Sequence, residues 1–228
     1  MFDKFKELFS SESLLDEAFD TTVTMLEYDK QMFEVSRMTL REENTSEMPF
    51  DVRKMHRRIN KYEREVRRKV LAHLTIAGTA NLVPGLGLIS IVIDVERIGD
   101  YTKNMVDLAR HHAQPLKGAK WEEDLKQIET AIDTNFTATI DALMNQNKSQ
   151  GRKVMKAEDD ISKHCEEIVS DIITGGEKQL SARDAASLAL YARYLKRINS
   201  HLTNIASAVV NPFPRISFRA KKKHLDTE

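Results

Sequence analysis

The sequence predicts an all-α protein of two pseudo-repeated three-helix bundles, elongated in outline. Three observations carry that expectation. Glycine and proline are scarce, 8 and 5 residues in 228, which disfavours a turn-rich β chain and favours long helices. Apolar residues recur at helical spacing along most of the chain. The stripes of the two halves also coincide: positions 91, 95, 98, 102, 105 and 109 return at 191, 195, 198, 202, 205 and 209, a repeat at a fixed offset.

Each element follows from its own stripe. Leu15, Phe19, Thr22, Leu26 and Phe33 mark a first helix, and Val52, His56, Ile59, Glu63, Val66 and Val70 a second. The uncharged run "TIAGTANLVPGLGLISIVI", residues 75–93, is long enough to be considered as a membrane span. Asn81, Pro84, Gly85 and Gly87 interrupt it, so it reads instead as a helix end, a tight loop and the buried start of a third helix. Ile91, Val95, Ile98, Thr102, Met105 and Ala109 continue that third helix until Pro115 and Gly118 break the pattern. Trp121, Leu125, Ile128, Ile132, Phe136 and Leu143 form a fourth stripe. Val154, Glu158, Ile161, Cys165, Ile168 and Ile172 form a fifth, closed by Gly175 and Gly176. "SARD", 181–184, is a capping-box-like start for a sixth, with Tyr191, Leu195, Ile198, Leu202, Ile205 and Val209 on its apolar face.

Within the repeat, "ERIGDYTKNM" overlays "KRINSHLTNI", and Val52, Ile59 and Val66 overlay Val154, Ile161 and Ile168. The chain therefore divides into a three-helix unit at 11–113, a second at 119–212, and a basic tail at 213–228 that could touch anionic lipid, its plainer reading being a solvated tail.

Composition narrows the function. Apolar residues are 41% of the chain, and Lys+Arg balance Asp+Glu at 35 each. No global field draws the protein to nucleic acid or membrane, so either would need a local patch. A single cysteine, Cys165, excludes an internal disulfide and fits a reducing, cytoplasmic setting. It lies on a buried stripe, where packing is its plain role. "MFDKFKELFS" mixes acids and bases and does not read as a signal peptide. Enzymatic signatures are missing: no Glu-x-x-His, no HExxH, no Walker loop, and "GLGLIS" follows no strand. The reading is a non-enzyme without catalytic residues.

The polar positions that invite chemistry begin with Glu96 and Asp100. Four residues apart, they share one helix face, with Gly99 beside them. Unpaired they repel; a hard cation between them, divalent or iron-type, would reconcile them. The plainer reading of the spacing alone is a solvated acidic edge partnered by Arg97 and Lys103. Gly99 would let a neighbouring helix come close. His56 and Glu63 fall on the apolar stripe of the second helix, where a polar group needs a partner. A hairpin turning near Pro84 would set Glu63 level with Asn104, one turn from Asp100. In the second half Glu158 sits likewise, with Lys196 placed to neutralise it.

"DVERIGDYTKN" resembles the signature of the PhoU family of phosphate uptake regulators, and "YLKRINSHLTNIA" resembles its second copy. "HRRINKYEREVRRKV" and "EDDISKHCEEIV" resemble the second helices of the two repeats, and the likeness runs over nearly all of 12–212. The resemblance implies a cytoplasmic regulator that binds metal through its acidic motifs and touches a phosphate transporter or a histidine kinase. The balanced charge argues against a nucleic-acid partner, and peripheral membrane association and a homodimer stay open. Lys196 and Ser200 stand where the family carries Glu and Asp, so a cation is expected in the first repeat, on Glu96, Asp100 and Glu63, with none of comparable strength in the second; His56, Asn104 and Glu158 are weaker candidates. The alternative class is a metal-binding helical bundle, for storage or metal-dependent catalysis.

Overall fold

The computed structural model describes residues 11–42, 51–112 and 114–218. Six long helices account for nearly all of them: α1 (Ser11–Arg41), α2 (Val52–Ala77), α3 (Leu82–His111), α4 (Glu122–Met144), α5 (Lys148–Ile173) and α6 (Ala182–Val210). There is no strand among the described residues. The helices α1, α2 and α3 pack on one another, as do α4, α5 and α6, so the two predicted three-helix units are present.

Helix ends are set by local chemistry. Asp51 caps α2, its Oδ1 accepting from the Lys54 N–H at 3.0 Å, and Asn147 caps α5 from the Gln150 N–H at 3.3 Å. Ser181 starts α6 as its motif predicts: the Asp184 N–H donates to Ser181 Oγ at 3.1 Å and Ser181 Oγ donates to the Asp184 carboxylate at 2.7 Å. Gly78 ends α2 at φ 65°, a backbone state that suits glycine, and its N–H caps the Leu74 carbonyl.

The α2–α3 connection differs from the expectation. The chain turns through a short 3-10 segment, Gly78–Asn81, and α3 already begins at Leu82. Pro84 falls in the first helical turn, where its missing N–H has no intrahelical acceptor to lose. The predicted buried start is also corrected: Leu82, Val83 and Leu86 are exposed, and burial begins in earnest at Leu88 and Ile91.

The core is the set of stripes read from the sequence. Ile59, Val66, Ile98 and Met105 are buried in the first unit, and Ile161, Ile168, Ile198 and Ile205 in the second. Cys165 is buried among them, its thiol pushed up to about 12 chiefly by burial, which leaves it unreactive. The units join through α1 on α4 and α3 on α6. Phe33 and Phe136 pack with their rings tilted by 38°, 5.4 Å between ring centres. At one end of that seam, buried Arg41 donates to Glu129 at 2.8 Å and Glu122 at 2.7 Å, and to the Leu116 carbonyl. Tyr191 donates to Glu129 at 2.8 Å, and burial followed by Glu129 holds its phenol well above its ordinary pKa. On the α3–α6 side His201 Nδ1 lies 2.7 Å from Asp94, which also accepts from Asn204 at 2.9 Å. Charges removed from water are thus matched by partners at the seam. The predicted tail lies mostly outside the described residues; its first part forms a 3-10 turn, Phe213–Arg215.

Candidate metal centre

Helices α1, α2 and α3 bring six ionisable groups to one place. His56 Nε2 is 2.9 Å from Asp100 Oδ1, and Arg97 donates to Asp100 Oδ2 at 3.3 Å. Glu96 is half-buried, and its pKa is raised by burial, then by Asp100 and Glu63, against the opposing charges of Arg97 and His56. Glu63 pairs with Arg67 on its own helix at 2.6 Å. The sixth group is Asp29 on α1. It is fully buried, and neither carboxylate oxygen meets a hydrogen-bond partner. Burial, then Glu96, then Asp100 drive its pKa well above the carboxylate range. A buried carboxyl facing two other carboxylates without a donor is costly in either protonation state.

Gly99 explains how Asp29 fits. A Cβ at position 99 would lie 3.0 Å from Asp29 Oδ1 and 3.3 Å from Ile59 Cδ1. The glycine is the gap through which α1 presents its carboxyl to α3. Among the described residues no three of these groups stand arranged to ligate one ion. Asp100 is turned to His56 and Arg97, and Glu63 to Arg67. Yet the unpartnered oxygens of Asp29 and the carboxylate donor set suit a hard, oxygen-seeking cation.

The second unit fills the equivalent place differently. Glu158 accepts from Asn199 at 2.6 Å, Ser200 at 2.8 Å, Thr203 at 3.1 Å and Ser162 at 2.9 Å. Asn135 on α4 donates to Asn199 at 2.8 Å. Lys196 does not neutralise Glu158, contrary to expectation: it reaches across to Glu166, whose pKa it lowers. The four neutral donors leave Glu158 no need of a counter-ion.

The sequence comparisons decide what this arrangement belongs to. The PhoU domain matches residues 22–109 and again 125–209. The chain belongs to the PhoU family. Each match takes in most of one three-helix unit, so the internal repeat is a repeat of the family's own domain. The crystal structure of PhoU from Pseudomonas aeruginosa superposes with a TM-score of 0.77 at 18% identity, covering 87% of this chain and 96% of that one. The phosphate transport system regulatory protein PhoU from Streptococcus pneumoniae gives 0.76 at 16%, covering 88% and 95%. No curated protein sequence matches.

Within this PhoU fold the structure brings Glu96, Asp100, Glu63 and His56 together and leaves two candidates aside. Asn104 is one turn along α3, accepting from Lys103 at 3.3 Å. Glu158 is in the other unit. The level of Glu63 is also corrected: it faces Glu96, because the turn is centred about four residues earlier than Pro84 and each step of the turn moves the facing residue by two. Asp29 is the member sequence reasoning missed. The stripe of α1 steps from Leu26 to Phe33, and Asp29 is the residue that fills the skipped position.

Proposed function

We propose that the chain regulates phosphate uptake and phosphate signalling from the cytoplasmic side, by binding a phosphate transporter, a sensor kinase or both, and that a carboxylate-held cation tunes its first repeat. What carries this reading is the double match to the PhoU domain combined with an acidic crowd kept in only one of the two copies. No helix among the described residues is long and apolar enough to cross a membrane, so contact with a transporter would be made from its surface.

Asp29, Glu96 and Asp100 are the residues that would hold the ion, with Glu63 at the edge. A bound cation would supply positive charge where three carboxyls repel. His56 and Arg97 hold Asp100 in place, one on each of its carboxylate oxygens. Nothing in the crowd pairs a nucleophile with a base, which fits regulation better than turnover.

Two measurements test the proposal. Deleting the gene is expected to raise phosphate accumulation or switch on starvation genes in phosphate-rich medium. Elemental analysis of protein purified without chelator is expected to find metal that Glu96→Gln with Asp100→Asn removes. Metal lost in the double variant without any phosphate phenotype on deletion would move the assignment to a metal-binding bundle. Unchanged metal content would reject the ligand set.

A further inference from the structure

We propose that the α2–α3 hairpin is a docking surface for anionic lipid bilayers, seating its apolar tip in the headgroup region and its basic flank against lipid phosphates. The chain as a whole is neutral, but its charge is not evenly spread. Between Arg53 and Lys69, nine basic residues stand against two acidic ones. Lys54, Arg57, Lys61, Arg64 and Arg68 step by three and four along α2 and are all exposed, so they share one face. From Lys54 to Arg68 that face runs about 21 Å. Lys54, Lys61, Arg64 and Arg68 have no acidic partner among the described residues, and a shallow hollow is lined by Lys61, Arg64, Arg67 and Arg68 alone.

The same face then changes character. The next residue of the series is Leu71, 68% exposed, and the turn beyond it presents Ile76 at 60% and Val83 at 59%. Leu82 and Leu86 extend this apolar surface along the first turns of α3. Residues 75–93 carry no charge at all. The uncharged run that the sequence offers as a membrane span is thus the end of a hairpin with aliphatic side chains in water. Exposed aliphatics grouped in this way mark a contact surface.

The order of the two zones points to the occupant. A bilayer places phosphates above hydrocarbon; the hairpin places cations behind an apolar tip. The two match by charge and by depth, in the manner of an interfacial helix rather than a span. A nucleic acid would use the basic stripe but leave the aliphatic tip in water. Ile216 rests 3.8 Å from where a Gly87 Cβ would be, and Phe218, 62% exposed, follows it. The sequence continues into Arg219, Lys221, Lys222 and Lys223, so the tail must be controlled for.

The test uses the full chain and vesicles of phosphatidylcholine, alone or mixed with phosphatidylglycerol. No transporter is present, so the outcome is independent of the regulator reading. Co-sedimentation is expected with the anionic vesicles, weakening with salt. Lys61→Gln/Arg64→Gln/Arg68→Gln should lower affinity about a hundred-fold, from roughly five-fold per basic residue. Leu71→Ser/Leu82→Ser/Val83→Ser should lower it about ten-fold or more while keeping the salt dependence. A fluorophore on Val83→Cys, with buried Cys165 protected from labelling, should shift to the blue on binding. Every substituted side chain is exposed, and circular dichroism checks that the variants fold. The proposal is overturned if vesicles are not bound, if both triple variants bind like the parent, or if ending the chain at Phe218 alone abolishes binding. It is also overturned if duplex DNA is bound in place of vesicles, with the tip variant unaffected.

Discussion

The two halves of the molecule put a polar centre at the same point of the same three-helix fold and fill it in opposite ways. In the first, Asp29, Glu96 and Asp100 crowd together, and Asp29 has no donor. In the second, one carboxylate, Glu158, is surrounded by Asn199, Ser200, Thr203 and Ser162. The exchange turns on residue 99 against residue 199. Glycine at 99 opens a gap that a carboxyl from α1 enters; asparagine at 199 fills that gap and bonds both Asn135 and Glu158. The backbone is therefore indifferent to whether this centre is satisfied. The unsatisfied version stands in one copy only; on the proposed reading that copy is the one that would hold a cation, while the other is satisfied by its own side chains.

The largest expected effect lies in the satisfied centre. Glu158→Ala removes the acceptor of four donors at once. Leaving partly buried amide and hydroxyl groups unpaired should cost about 2–4 kcal/mol in chemical denaturation. Its counterpart under the repeat is His56, which meets Asp100 alone at 2.9 Å. His56→Ala should cost no more than about 1.5 kcal/mol. Equal losses from the two variants would break the contrast between the halves.

A smaller effect of opposite sign belongs to the crowded centre. Asp29→Asn removes a buried acid from beside Glu96 and Asp100 and supplies a donor to them. In chelator-treated protein it should raise stability by about 1–2 kcal/mol at neutral pH. The pH dependence follows from the raised pKa of Asp29 in the folded state. Below the unfolded value of about 4 both states hold the proton, and the pH-linked part of the penalty vanishes. As pH rises from there towards the raised folded value, the folded state keeps a proton that the unfolded state loses, and stability falls. The parent should lose stability over that window more steeply than Asp29→Asn, which keeps only the smaller fall from the raised Glu96. Thermal melts across the acid range check this; parallel curves for the two proteins would show that Asp29 is not the strained group.

Much of this was legible in the sequence, and the gaps have physical causes. The helices, the repeat and the grouping of Glu96 with Asp100 follow from periodicity, because a buried face must be apolar and a polar residue on it stands out. His56 and Glu63 stood out for that reason and do reach the centre. Asp29 did not, since the stripe of α1 remains acceptable with one position skipped, and only packing shows that the skipped residue is fully buried. The level of Glu63 depended on where the hairpin turns, and Pro84 is an ambiguous marker: it can end a helix or occupy the first turn of one. Lys196 bonds Glu166, two turns along α5 from the Glu158 that the sequence suggests, a distinction that helical spacing alone does not make.

The smallest effect tests the gap itself. Replacing a helical glycine by alanine normally gains about 1 kcal/mol. At Gly99 the added methyl would sit 3.0 Å from Asp29 Oδ1 and 3.3 Å from Ile59 Cδ1, closer than either can tolerate without moving. Such overpacking costs about 1–3 kcal/mol. Because Asp29 can withdraw only by disturbing α1, the clash should slightly outweigh the helical gain, leaving Gly99→Ala less stable by about 1 kcal/mol or less. The informative measurement is a double-mutant cycle with Asp29→Ala. Once the carboxyl is gone the same substitution should become neutral or stabilising, with a coupling of about 1 kcal/mol between the sites. If Gly99→Ala stabilises the parent as an ordinary helical replacement would, the glycine does not make room for Asp29, and the contrast between positions 99 and 199 loses its physical basis.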